Sequence, residues 1–336
     1  MKPGVFLTFD VECSMGGAWG DPALGCVPPE RAVWGDSGDR RLGLPLICDI
    51  LADAGNLKAT FFVDPYLDEQ GFPDAGEPIC RFLLDRGQDV QLHVHPVHKL
   101  FGRAGADRPQ QPIDDIADFA ADEAEAMLVE AAGRLEGWTG RPPAAFRAGN
   151  MGASERTLEL LPAAGIRIDS SYTFPYAGRQ CRFSPDNPYN GSRWYGDVLE
   201  LGLSGFRQPR LPKLHPAKPL DLMGISFGEC REAIRRITAA GADAVVILHS
   251  FSLMKVRNRR YDGGRLNRVV ARRFRKLCDW LASSAGDLPT YTFGHLAEAV
   301  AAGRYQAREA APPRLNRPVR AVVRKAVQAV NNVYWT

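Results

Sequence analysis

Apolar residues gather along this chain in short runs separated by longer amphipathic stretches. Residues 4–9 (GVFLTF) read as a buried strand, and the β-branched, aromatic stretch 58–64 (KATFFVD) as a second. Further strands are expected in the stretch that opens at Gln88 and at 144–147, 166–169, 198–203, 243–249 and 290–293. Helical spacing covers 44–54, 76–86, 114–136, 154–164, 228–240, 265–283 and 295–302. Ile116, Phe119, Met127, Leu128, Ala131 and Leu135 form one stripe of the long third helix, and Ser154 and Gly165 cap the fourth. Residues 14–41, rich in glycine, and 170–196, rich in Tyr, Pro, Asn and Gly, read as loops. Strand and helix alternate about seven times, which argues for a parallel α/β architecture. No GxGxxG follows the first strand and no P-loop occurs, so nucleotide-binding doubly wound folds lose support. A (β/α) barrel fits better, and in barrels the chemistry sits at the carboxyl ends of the strands.

Composition adds bounds. The 336 residues, 45% hydrophobic and 24% charged, suit a globular chain that buries a core without covalent staples. The 7 cysteines are scattered and form no CxxC pair, so neither a disulfide framework nor a thiolate zinc site is indicated. Reduced thiols in the cytosol are the simplest reading. The apolar run at 5–9 is too short for a signal peptide, and no run is long enough for a membrane span. The expectation is a cytoplasmic chain, at most peripheral at the inner face of the membrane.

Charge is uneven. The chain is +3 overall, yet 314–336 holds Arg314, Arg317, Arg320, Arg324 and Lys325 with no acid. A second basic block, 255–276, has Asp262 as its one acid. Neither block carries a nucleic-acid-binding motif, which disfavours a nucleic-acid partner.

Candidate chemistry centres on His93, His95 and His98, three of the 6 histidines. His93 and His95 lie two apart, so on an extended strand both side chains leave one face. Imidazoles converging on one point suit a divalent transition metal, above all zinc. Other polar residues fall at strand ends: Asp10 and Glu12 after the first strand, then Arg147, Asp169 and His249. Singly each is a turn or rim residue. Their coincidence in one layer of a barrel is the signal for metal-assisted hydrolysis.

From about residue 4 to 300 the sequence resembles the polysaccharide deacetylases, the NodB-homology enzymes of carbohydrate esterase family 4. The family's Thr-Phe-Asp-Asp motif is matched by Thr8-Phe9-Asp10-Val11-Glu12, and its His-Ser/Thr-x-x-His-Pro motif is echoed by His93-Val94-His95-Pro96. Its Arg after an aromatic residue is Phe146-Arg147, its strand-ending Asp is Asp169, and its Leu-x-His is loosely Leu248-His249. Two positions depart. Val11 stands where the family has a metal-binding Asp, leaving Glu12 as the nearest carboxylate, and the histidine spacing is shortened. His98 therefore stays open as a replacement for His93 or His95.

The resemblance implies a distorted (β/α)7-type barrel over 1–303, with 304–336 as a basic amphipathic extension. It implies metal-dependent removal of an N-acetyl or N-formyl group from a sugar, in glycan or lipid-linked saccharide biosynthesis. Glu12, His93 and His95 would hold a divalent metal, most simply Zn²⁺. Asp10 would be the general base, oriented by Arg147. His249 would protonate the leaving amine, with Asp169 nearby favouring its charged form. Hydrolysis of a non-sugar cyclic amide and non-catalytic carbohydrate binding are the alternatives.

Three further features carry expectations. Trp19 and Trp34 in the 14–41 loop are read as a substrate wall, against a bland role as core anchors. Arg257, Arg259, Arg260 and Arg265 flank Gly263-Gly264 and are read as rimming the site for a phosphate-bearing substrate, against a solvated basic face. The tail places Val319, Val322, Val323, Ala326, Val327 and Val330 on one stripe, with Tyr334 and Trp335 at its end. That suits a helix lying on an anionic membrane, and equally one packed on the barrel or on a second subunit.

Overall fold

The computed structural model describes residues 1–103, 109–209, 215–315 and 318–332. Arg317, Tyr334 and Trp335 lie outside the described residues. The strands that matter are β1 (Val5–Val11), β2 (Thr60–Val63), β3 (Asp89–Val94), β4 (Ala145–Ala148), β5 (Ile168–Asp169), β6 (Asn190–Tyr195), β7 (Val198–Leu201), β8 (Ala244–His249), β9 (Thr290–Tyr291) and β10 (Glu309–Ala310). Seven of them run parallel in the order β8-β1-β2-β3-β4-β5-β7. Antiparallel β6 and β10 extend the sheet, and β9 pairs with β1.

The barrel is distorted where it closes. No ladder joins β7 to β8 among the described residues. Instead Ser204 N donates to Val245 O at 3.2 Å, Val245 N donates to Ser204 Oγ at 2.9 Å, and Ile247 N donates to Leu220 O at 3.1 Å. This irregular seam borders the site described below.

Helices α1 (Leu44–Asp53), α2 (Gly76–Leu84), α3 (Pro96–Phe101), α4 (Ala121–Thr139), α5 (Glu155–Leu160), α6 (Phe227–Ala239), α7 (Arg268–Ser283) and α8 (Phe293–Ala301) complete the fold, followed by α9 (Pro318–Asn332). All seven residues of β1 are buried, as expected of a parallel strand covered on both faces. Alternation sends Phe9 toward the helix layer, where it stacks on Phe61 at 4.8 Å and meets Phe274 of α7 edge-on at 5.6 Å. Thr8 and Asp10 consequently share the opposite face.

Several elements differ from the sequence expectation. Helix α4 starts at Ala121 rather than 114, because Asp114 and Asp115 make side-chain contacts that hold the preceding segment irregular. The stretch 170–196 is not loop throughout, since β6 pairs there with β7. Residues 304–315 are not an appendage. Tyr305 Oη donates to Asp243 at 2.8 Å, Arg308 Nε pairs with the same carboxylate at 3.1 Å, and β10 adds to the sheet edge. No helix among the described residues is long and apolar enough to cross a membrane.

Candidate active site

Strand register assembles the site. Asp10 on β1 is the register partner of His249 on β8, and His93 on β3 is the partner of Arg147 on β4. Arg147 is fully buried and uses its whole fork: Nη1 donates to Asp10 Oδ1 at 2.6 Å and to Thr8 Oγ1 at 3.0 Å, Nε to Ser170 O at 3.1 Å, and Nη2 to Ser170 Oγ at 3.0 Å. Its guanidinium also lies 4.1 Å from the Phe62 ring centre. One cation therefore fixes one oxygen of Asp10.

Beside this pair, Glu12, His93 and His95 offer ligand atoms that all lie within 4.8 Å of one another. Glu12 Oε2 is 3.1 Å from His93 Nε2 and 2.6 Å from His95 Nε2. The two rings stand 4.9 Å apart at 85°, as their shared strand face requires. Their far nitrogens are anchored: His93 Nδ1 to Arg147 O at 2.8 Å, and His95 Nδ1 to Asp114 Oδ2 at 2.9 Å. Those acceptors take up the Nδ1 side of each ring and leave both Nε2 atoms facing Glu12. Two imidazole nitrogens and a carboxylate, with outer partners in place and a cavity in front, fit a divalent cation. His98 is not among them. Its Nδ1 is tied to buried Asp64 at 2.6 Å, so the i,i+2 pair His93/His95 forms the cluster.

The electrostatics match. Burial works against charge on His95, yet Asp114 and Glu12 outweigh it and hold the imidazole pKa well above its ordinary value. Burial likewise raises Glu12, but the charge of His95 and hydrogen bonds from both histidines pull its carboxyl well below the usual range. This attraction is what a divalent cation would take over.

A cavity of about 190 Å³ opens onto these groups. Asp10, Glu12, His93, His95 and His249 form one side, while Met151, Leu203, Pro219 and Ile247 give an apolar wall. His249 stacks on Phe251 at 4.9 Å, and its Nδ1 is buried without a hydrogen-bond partner.

Sequence reasoning missed five residues. Asp114 lies 19 positions from the histidine it anchors, in a segment read as helix. Asn150 and Met151 hold left-handed backbones (φ 53° and 60°) at the cavity edge, a strained turn that Arg147 as a strand end could have flagged. Asp221, in the irregular seam, lines the cavity; burial pushes its carboxyl up, while the charge of His249 opposes that shift. Gly149 is a steric requirement, because a Cβ there would stand 2.5 Å from His95 Nδ1.

Other expected site residues lie elsewhere. Asp169 does not line the cavity. It pairs in register with Glu200 on β7, and Ser171 donates to it through N at 3.0 Å and Oγ at 2.8 Å, whereas Asp221 lines the cavity together with His249. Trp19 and Trp34 do not line it either: Trp19 packs near Phe101, and Trp34 packs edge-on to Phe82, which makes both anchors of the 14–41 loop. Arg257 and Arg259 are likewise absent from its lining. Arg257 lies against Gly263 and Arg259 against Gly17, whose φ of 97° and missing side chain let the guanidinium approach. Arg260 donates to the carbonyls of Gly25 at 2.6 Å and Leu24 at 2.9 Å. Arg259 and Arg260 thus fasten the glycine-rich loop rather than facing a phosphate in the cavity.

No family model matches the chain, and no curated protein matches it. Solved structures do. A Mycobacterium smegmatis protein described as a polysaccharide deacetylase aligns over 93% of this chain and 94% of its own, at 18% identity and a TM-score of 0.52. The family 4 carbohydrate esterase from Streptomyces lividans, solved with acetate, covers 86% and 91% at 12% identity and a TM-score of 0.42. The Bacillus subtilis peptidoglycan deacetylase PdaC covers 90% and 93% at 13% identity and a TM-score of 0.41. The fold of this chain is that of a polysaccharide deacetylase. The expected barrel class therefore holds.

Proposed function

We propose that the chain is a metal-dependent amidohydrolase that removes an N-acyl group, acetyl or formyl, from a sugar. The observation that carries the reading is the convergence of Glu12, His93 and His95 with the Arg147–Asp10 pair and His249 on one cavity. Zinc suits the two-imidazole, one-carboxylate set, and when bound it would supply Lewis acidity to the acyl carbonyl and to water. Asp10 accepts the proton of the attacking water, with Arg147 fixing the carboxylate through Oδ1. His249 gives a proton to the departing amine nitrogen as the C–N bond breaks and the new C–O bond forms. The apolar wall of Met151, Leu203 and Ile247 receives the acyl methyl, and Asp10 and His249 stand side by side where the amide must lie. The volume suits the acylamino end of one residue, below the ~300–1,000 Å³ of pockets that engulf larger ligands. The reading places this activity in glycan or lipid-linked saccharide biosynthesis.

The deciding experiment combines metal analysis of the purified protein with acetate release from N-acetylglucosamine oligomers and formate release from an N-formyl sugar. The expected result is one divalent ion per chain and acyl release that disappears in Asp10→Asn. Metal-loaded protein that opens a cyclic amide but leaves every N-acyl sugar intact would overturn the sugar assignment. Sugar binding without release would mark a non-catalytic relative.

A further inference from the structure

Helix α9 is docked on the wrong side for an ordinary amphipathic helix. Its polar face meets the barrel. Arg324 is 3% exposed and donates through Nη1 to Glu229 at 2.8 Å and through Nη2 to Gln208 at 2.6 Å. Gln328 Nε2 donates to Met223 O at 3.1 Å, and Lys255 Nζ donates to Asn331 O at 2.7 Å. Ala321, also on this face, is buried.

The valines face away. Val319, Val322, Val323, Val327 and Val330 are 74%, 56%, 55%, 39% and 68% exposed, and they make up most of the large exposed hydrophobic residues among those described. At about 100° per residue they cover one stripe, roughly opposite Ala321, Arg324 and Gln328. An apolar stripe held outward by buried polar pins is not a frayed helix seeking a core. It is a surface kept available.

Charge selects what it meets. Exposed Lys325 flanks the stripe. At the C-terminal end of α9, Arg40 and Arg268 line a cavity of about 570 Å³ together with Asn331. A second copy of the chain meeting this face through a twofold axis would set cation against cation. A surface that is apolar within and anionic at its boundary satisfies both features.

We propose that α9 seats the protein on an anionic lipid bilayer, with the valine stripe in the interfacial layer and the cation-lined cavity at the headgroups. The test uses the full-length protein, sedimented with vesicles of phosphatidylcholine alone and of phosphatidylcholine mixed with phosphatidylglycerol. Binding is expected to the mixed vesicles and to weaken as salt rises. Val322→Glu/Val330→Glu should lower partition tenfold or more, and Lys325→Glu by roughly fivefold, the worth of one basic residue near an anionic surface. These positions are exposed, so the melting temperature should hold. If the double variant unfolds, Lys325→Glu alone decides. Equal binding to both vesicle types, no binding to either, or unchanged binding of a folded variant overturns the proposal. So does a wild-type dimer, seen by light scattering, that the valine substitutions convert to a monomer.

Discussion

Arg147 Nη1 and Asp10 Oδ1 lie 2.6 Å apart with both side chains sealed from solvent. Breaking a buried pair from one side leaves an uncompensated charge, typically a loss of about 3–5 kcal/mol. Arg147→Ala should therefore lower the unfolding free energy by about that much in urea titrations. Asp10→Asn combined with Arg147→Met should cost clearly less than the two single losses added together. An additive double variant would mean the pair is not coupled.

Catalytic and structural roles separate at the register partners. Asp10→Asn and His249→Ala should each reduce acyl release by about 10²–10⁴-fold, the usual worth of one acid–base group. The divalent ion should stay, since neither residue belongs to the Glu12/His93/His95 cluster. Loss of metal from His249→Ala would show that this histidine is a ligand and not an acid.

Asp114 should matter to the metal without touching it. Its carboxylate anchors His95 Nδ1, and removing such a partner typically costs 10–100-fold in metal affinity. Chelator competition on Asp114→Ala should show that drop. His98→Gln should leave affinity near wild type, because His98 bonds Asp64 instead. Similar losses in both variants would contradict the ligand assignment.

Glu200 sets a pH dependence on stability. Burial, then the charge of Asp169 beside it, raises its carboxyl well above the ordinary range, so the folded chain holds a proton that the unfolded chain releases. Asp169 is also raised, chiefly by burial, and Tyr172 N donates to Glu200. A raised carboxyl stabilises fully below the unfolded pKa of about 4 and loses that contribution as pH rises through its folded value. Glu200→Gln keeps the shape and deletes the titration. Its melting temperature relative to wild type should therefore improve between pH 5 and pH 8. Parallel melting curves across that range would count against the shared proton.

The strand ends were legible because a parallel sheet writes itself as apolar runs. Asp10, His93, Arg147 and His249 each close such a run, and period-two alternation placed His93 and His95 on one face. What the runs cannot encode is partner choice between distant segments. Asp114 falls at the head of a helical period and Asp221 in a stretch without one, and only the folded chain brings Asp114 to His95 and Asp221 into the cavity with His249. Asp169 ends a strand like the other acids, yet Ser171 holds its carboxylate and it does not line the cavity. The tail misled differently. Its spacing announced a helix, but sequence could not show that Arg324, a charged residue, forms the buried face.

The arginine contacts of the glycine-rich loop have a mechanical meaning. That loop continues from Glu12, and the segment carrying Arg260 continues from His249. Arg260 grips Leu24 and Gly25, Arg31 pairs with Asp262 at 2.6 Å, and Ser250 Oγ donates to Ala32 O at 3.0 Å. The segment that follows the proposed metal ligand and base is thereby stitched to the segment that follows the proposed acid. Tied at three points, the two segments form one mechanical unit, so a displacement of the glycine-rich loop carries the chain after His249 with it.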